Sequence, residues 1–449
     1  MRKDLTQGPI MPAMLRFALP LILGNLLQQC YNIVDTLIVG RVLGANALAA
    51  VGSSFSLMTF LTSILLGLCM GSGALFSIRF GQKDEDGLKE SMFASFLLIA
   101  ALTIALTGIV FLLLDPIQGF LRVDDPVVWK LMRQYLQVIF GGIAATFLYN
   151  YFSSLLRSVG NSVVPLAFLA LSALLNIALD LFFVLALKRG VAGAAEATVI
   201  SQYVSGLGIA AYTWLHFPQL RLSRRHCRLR LSCLREIASF SLLTCLQQSV
   251  MNLGILMIQG LVNSFGPTIM AAFAAAVKID AFAYMPVQDF GNAFSTFIAQ
   301  NYGAKEKQRI HAGLKGAVLV AFLFCAAVST IVFFLAEPLM LLFVEAHETA
   351  IIAEGVRYLR IEGAFYFGIG CLFLLYGLYR ALARPGMSVV LTVISLGTRV
   401  ALAYTLAPIP AIGVVGIWWA VPIGWFLADC TGLLYYVFNK KNLLRWAET

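Results

Sequence analysis

Twelve apolar runs, each long enough to cross a hydrocarbon layer about 30 Å thick as a helix, follow one another along the chain. Six fall at residues 14–40, 47–76, 91–114, 130–156, 163–187 and 191–216, and six more at 237–262, 268–300, 312–336, 350–379, 386–407 and 413–438. Lipid offers an open backbone no hydrogen-bond partner, and the runs lack the alternation of barrel strands, so the spacing predicts an all-α integral membrane protein with twelve transmembrane helices. Only 12% of the 449 residues are charged and 60% are hydrophobic, which excludes a soluble domain of ordinary composition. The connections leave no room for a large soluble domain.

The net charge of +10 would point to nucleic acid in a soluble protein. Here the basic residues sort by side of the membrane. With the N-terminus inside, 22 of the 32 Lys and Arg residues fall on the inner side and 8 on the outer, Lys278 and Arg399 staying within spans. The bias predicts both termini in the cytoplasm and no nucleic-acid partner. The strongest inner marker is the stretch from Arg221 to Arg235, which is also the best linker between halves. Cys227 and Cys233 in that stretch lack the spacing of a zinc site, and the other six cysteines lie in apolar runs, so neither a disulfide framework nor a structural metal is expected. The N-terminus reads as retained, since no short apolar core with a cleavage site precedes the first span. No Walker sequence, nucleophile elbow or paired-His metal helix occurs, so nothing indicates an enzyme.

The halves repeat. A shift of 223 aligns Tyr135 to Tyr212 with Tyr358 to Tyr435 without a gap, matching Arg157 with Arg380, Gly190 with Gly413 and Gly193 with Gly416. A shift of 222 extends this upstream, where Gly44 meets Gly266 and Lys83 meets Lys305. An even number of spans per half makes the two repeats parallel. The expected organisation is an N-terminal six-helix lobe at 1–216, a basic cytoplasmic linker at 217–236 and a C-terminal six-helix lobe at 237–449. Two such bundles are the architecture of a transporter working by alternating access.

Ionisable groups inside spans cost about 2.5 to 3.5 kcal/mol each on insertion scales, so each needs a reason. At about 1.5 Å per residue, Asp35 lies about 8 Å below the outer end of its span, Asp180 about 12 Å below Lys188, and Thr198 about 12 Å below Gly190. Three polar groups on three helices thus share one depth. Asn176 and Asp180, spaced i and i+4, stack on one helix face, and Asn150 and Ser153, spaced i and i+3, stack on another. Oxygen ligands from Asp35, Asn176, Asp180 and Thr198 suit a small cation such as Na+, whereas two carboxylates in low dielectric would equally share a proton. The repeat places Arg399, Ala403, Val421 and Phe373 where the first half has Asn176, Asp180, Thr198 and Asn150. A network needed only for folding would recur in both copies, so its restriction to one points to a task.

The second half carries its own ionisable residues. Lys278 and Arg399 are expected to neutralise Asp280 and Glu362 in salt bridges, while Asp289, three residues after Pro286, is the second candidate for a substrate-facing acid. Tyr31, Asn150, Ser153, Tyr284 and Asp289 are the candidate cavity residues, the tyrosines offering stacking and cation-π contacts to a flat organic cation.

Several stretches give the chain a resemblance: Leu19-Pro20 and Asp35 with Gly40 and Gly44, Ala49-Ala50, the run Arg157-Ser158-Val159-Gly160-Asn161, and the run Ala299-Gln300-Asn301-Tyr302-Gly303-Ala304. Through them it resembles the multidrug and toxic compound extrusion (MATE) transporters of the multidrug, oligosaccharidyl-lipid and polysaccharide flippase superfamily, over nearly its whole length. The resemblance implies a two-lobed antiporter of the bacterial plasma membrane that exports cationic or amphipathic organic compounds in exchange for H+ or Na+. It implies a monomer with no cofactor beyond that coupling ion, and with small organic molecules and membrane lipid as partners. In the DinF-like bacterial branch the coupling cation sits in the N-terminal lobe, at the positions of Asp35, Asn176, Asp180 and Thr198, with Asn150 and Ser153 nearby. Ser153 stands where that branch would have an Asn. The sodium-coupled NorM-like branch uses second-lobe acids, and span 7 here offers only Gln247 and Gln248. A lipid-linked oligosaccharide flippase would need several basic cavity residues and finds only Lys278 and Arg399. A receptor or channel, the reading from another class, would not need carboxylates confined to one bundle.

Overall fold

The computed structural model describes residues 4–116 and 125–444. Arg2, Lys3, Arg122 and Arg445, which enter the charge tally, lie outside these residues. Among the described residues the chain is helical throughout and holds no strand.

Two compact units emerge, one containing Leu19–Cys245 and the other Leu5–Ala18 together with the chain from Leu246 onward. The first contains most of α1 (Ile10–Leu43), then α2 (Ala45–Gly81), α3 (Glu85–Leu112), α4 (Pro126–Phe140), α5 (Ile143–Ser158), α6 (Val163–Asp180), a π-helical turn (Leu181–Ala186), α7 (Gly190–His216) and the first half of α8 (Leu231–Asn263). The second contains the rest of α8, then α9 (Pro267–Gly303), α10 (Lys307–Phe334), the short α11 (Ala336–Met340), α12 (Thr349–Gly363), α13 (Tyr366–Ala381), α14 (Pro385–Leu406) and α15 (Val415–Leu443). Among the described residues, nine helices are long and apolar enough to be single spans, counting α6 with its π turn as one. α4 with α5 and α12 with α13 cross as broken pairs bent by 45° and 51°, and α7 completes the twelve.

The boundaries of the units differ from the expected 1–216, 217–236 and 237–449. The basic linker and the start of α8 pack with the first unit because polar groups and close packing fasten them there. Arg79 at the end of α2 binds Glu236 at 2.7 Å and Asp84 at 3.1 Å, and Ser72 and Ser241 share a hydrogen bond of 2.7 Å. The buried His226 accepts from the Ser223 N–H through Nδ1 at 3.2 Å, and its Nε2 lies 2.8 Å from Asp86 Oδ1. Arg225 also reaches Asp86, and Arg230 reaches Glu90. Exposed ion pairs of this kind contribute little each. Close approach of backbones contributes more: a Cβ on Gly67 would lie 2.6 Å from the Cys245 Cα, and one on Gly71 would meet the Phe240 backbone closer still. In the second unit, Leu5 donates to Gln300 Oε1 at 3.0 Å, and Arg309 donates to the Gly8 carbonyl at 2.8 Å.

The sequence repeat is also a backbone repeat. Gly44 and Gly266 take φ of 87° and 95°, Lys83 and Lys305 take 59° and 60°, and Gly190 and Gly413 take 62° and 56°. Gly160 and Ala383 take 83° and 57°, again 223 residues apart. Side chains rarely adopt such angles, so their recurrence at fixed offsets records one scaffold built twice. The breaks between α4 and α5 and between α12 and α13 obey the same offset.

Candidate functional site

An apolar cluster of Val39, Ala47, Val51, Tyr135, Ile139, Val184, Val191, Ala194 and Ala195 gathers α1, α2, α4, the π turn and α7 in the first unit. It fixes the neighbours of the polar groups that the depth argument places together. Asp180, the last residue of α6, is fully buried. Asn176 lies one turn earlier on the same face, and Thr198 faces it from α7. In the amide orientation that satisfies both neighbours, Asn176 donates to Asp180 Oδ2 at 3.0 Å and accepts from the Thr198 N–H at 3.1 Å and its hydroxyl at 3.2 Å. The Thr198 hydroxyl also lies 3.1 Å from the Ala194 carbonyl.

Asp35, on α1, brings its carboxyl within hydrogen-bonding reach of Asp180. One oxygen of each carboxyl, Asp35 Oδ1 and Asp180 Oδ1, is buried and has no hydrogen-bond partner among the described residues. Buried acceptors left unpaired are costly, and a bound proton or a small cation would satisfy both. Asp35, Asn176, Asp180 and Thr198 therefore come together in the first unit, where the carboxyl oxygens are the groups left to meet a hard cation, the Asn176 oxygen being taken up by Thr198.

Tyr31, one turn before Asp35, joins this pocket, its hydroxyl within reach of Thr198. Tyr135 on α4 stands within electrostatic range of Asp35, Asp180 and Tyr31 and is buried. Sequence reasoning used Tyr135 only to align the repeats. Its signal was its place on the buried face of an amphipathic half-span, where Met132, Leu136 and Ile139 are also buried. Asn150 and Ser153 are not bonded to the acid pair among the described residues: the Asn150 amide donates to the Thr146 carbonyl of its own helix at 2.9 Å, and Ser153 lies buried on α5 beside Tyr149. Glu196, near the start of α7, is held by Arg189 at 2.8 Å.

In the second unit the expected salt bridges are absent among the described residues. Lys278 is exposed, and Asp280 is held instead by hydroxyls, Tyr366 donating at 2.5 Å and Tyr358 at 3.4 Å. Glu362 lies within hydrogen-bonding reach of Asp280, with Arg399 in electrostatic range of both. The reason is reach: Lys278 and Asp280 are two residues apart on α9 and so point to different faces, whereas Tyr358 and Tyr366 flank the break between α12 and α13 and converge on Asp280. Tyr284 stands beside this cluster, its ring 6.0 Å from that of Phe373. Asp289 is buried on α9, three residues past Pro286.

The chain matches the sequence profile of the MatE family twice, over residues 20–182 and 242–405, segments displaced by the same offsets as the internal repeat. It is 28% identical to the probable multidrug resistance protein YpnP of Bacillus subtilis (strain 168) over 98% of both chains. It is 26% identical to a second probable multidrug resistance protein of that organism, YoeA, over 96% of this chain and 94% of the other. Among solved structures, a MOP superfamily transporter from Pyrococcus furiosus superposes with a TM-score of 0.90 at 24% identity, over 98% of each chain, and so shares the fold. Repeated helices, paired backbone angles and a doubled profile match agree: this chain belongs to the MatE family of membrane transporters.

Proposed function

We propose that this chain is a secondary active antiporter that exports cationic or amphipathic organic compounds and draws its energy from H+ or Na+ moving the other way. The supporting observation is the pair of the half-buried Asp35 and the fully buried Asp180, joined by Asn176 and Thr198 in one repeat and replaced by apolar or basic residues in the other. Two like charges in low dielectric are unstable without a counter-cation, so the pocket favours a state with one cation bound. A transporter can use that preference only if the cation binds one conformer better than the other. The linkage is reciprocal: bound substrate must weaken cation affinity by the factor by which the cation weakens substrate affinity. Relatives named as multidrug resistance proteins support export of organic molecules. The charge bias of the loops supports a plasma-membrane orientation with both termini in the cytoplasm. The protein acts as a monomer, since each step of this mechanism is contained in one chain.

The test is transport by the purified protein in proteoliposomes loaded with an ethidium-like dye. A proton or sodium gradient opposed to dye movement should accelerate efflux, and saturating dye should lower the apparent affinity for the driving cation. Dye flux indifferent to both gradients, or selectivity for anionic lipid-linked sugars, would overturn the reading.

A further inference from the structure

Helix α6 does not end as an α-helix. Leu181 directly after Asp180 still donates to the carbonyls of Ile177 and Ala178, but the next turn, Leu181–Ala186, is π-helical, the only such turn among the described residues. Leu187 donates five residues back to Phe182 at 2.9 Å, and Arg189 donates six back to Phe183 at 3.0 Å. A π turn carries one residue more than the α register holds, and such turns are rare and persist where a function requires them. One extra residue turns the helix face by about 100°. The face bearing Asn176 and Asp180 is thereby set apart from the face that the chain presents as it enters α7.

The second repeat is the internal comparison. Residues 404–409 correspond to 181–186 at the offset of 223, and there α14 stays α-helical through Leu406, Ala407 donating four residues back to Ala403 at 3.0 Å. Ala403 is the counterpart of Asp180. The bulge is absent where the acid is absent. Both repeats nevertheless keep the support beneath the turn: a Cβ on Gly193 would lie 3.2 Å from Phe183 Cβ, and one on Gly416 would lie 2.7 Å from Leu406 Cβ, the equivalent pair. α7 thus rests against the π turn at Gly193 and, five residues on, presents Thr198 to Asn176. The turn itself is anchored by Val184 in the apolar cluster that includes Ala194.

From these contacts we infer that the π-helical turn Leu181–Ala186 sets the aim of Asp180, with Phe183 and Gly193 as its positioning residues. The inference rests on the cation-site reading above. An added methyl at Gly193 pushes Phe183 and the link at Arg189, whose Cβ would be 3.0 Å away, and so displaces Asp180 relative to Thr198.

The experiment compares Gly193→Ala with Gly416→Ala in the full-length purified protein, with Asp180→Asn as reference. Cation titrations, with pH and Na+ varied separately, are followed by intrinsic fluorescence and by cation-dependent thermal shift, alongside dye binding. Gly193→Ala should raise the half-saturating cation concentration about tenfold, the usual scale for a supporting residue, with dye affinity kept, and Gly416→Ala should stay within about twofold of the parent. Deleting Leu185, an exposed residue of the turn, removes the inserted residue without touching α7, should move cation affinity the same way, and carries the test if Gly193→Ala does not fold. Equal shifts in Gly193→Ala and Gly416→Ala, or none in either Gly193→Ala or the deletion, would overturn the inference. An Asp180→Asn protein that titrates like the parent would overturn the cation-site reading and this inference with it. Loss in Asp180→Asn beside an unchanged Gly193→Ala would overturn this inference alone.

Discussion

Replacing Asp180 by Asn is the perturbation that isolates the cation site, because it keeps the shape and removes only the charge. The side chain is fully buried, so its field on a cation is weakly screened. At an effective dielectric of about 20, unit charges about 4 Å apart attract by about 4 kcal/mol. Losing that attraction costs about three decades of cation affinity, at about 1.4 kcal/mol per decade. The amide should cost little in folding, since its oxygen can still accept from Asn176, which donates to Asp180 Oδ2 at 3.0 Å. It also removes like-charge repulsion from Asp35. The cation-free variant should therefore melt at or above the temperature of the cation-free parent at high pH. The assay is a thermal-melt titration with Na+ at fixed pH and with pH at fixed Na+, together with driven dye efflux. The parent should gain stability as cation saturates, and the variant should show neither that gain nor gradient-driven efflux while still binding dye. A variant whose melting temperature rises with cation as steeply as the parent's would refute the reasoning, because the cation would then be bound elsewhere.

In the second unit, Glu362→Gln should leave cation-driven dye efflux at more than half the parent rate, because the carboxylate of Asp280 keeps its Tyr366 and Tyr358 hydroxyls; complete loss with Asp180→Asn active would move the site to the other repeat. Gly71→Val should destabilise by about 1–3 kcal/mol or abolish folding, since the new side chain meets the Phe240 backbone, which cannot swing aside, as size-exclusion profiles and melts will register. Cys227, exposed in the basic linker, should be labelled by an impermeant thiol reagent only in inside-out vesicles; labelling in intact cells would reverse the topology.

The sequence alone determines that this chain spans a membrane, where its spans fall, and that it is built from two parallel copies of one unit. These properties are written along the chain, in apolar run length and in residue identities at offsets of 222 and 223. The quartet Asp35, Asn176, Asp180 and Thr198 was legible for a related reason: helical rise converts position in a span into depth, and one repeat serves as control for the other. Depth does not give azimuth or neighbour. Asn150 and Ser153 lie on the expected helix but bond elsewhere, and Tyr135 reaches the acid pair from a half-span that sequence periodicity alone does not orient. The partners of Asp280 were misread because charge complementarity ignores whether two side chains on one helix can meet, and two tyrosines beside a break supply what Lys278 cannot. The limits of the two units were also set by packing, since α1 and α8 are each continuous helices whose two ends have different neighbours. The π turn after Asp180 was least legible, because no residue type encodes a single extra residue in an apolar helix: the register there is decided by how Val184 and Phe183 seat against α7.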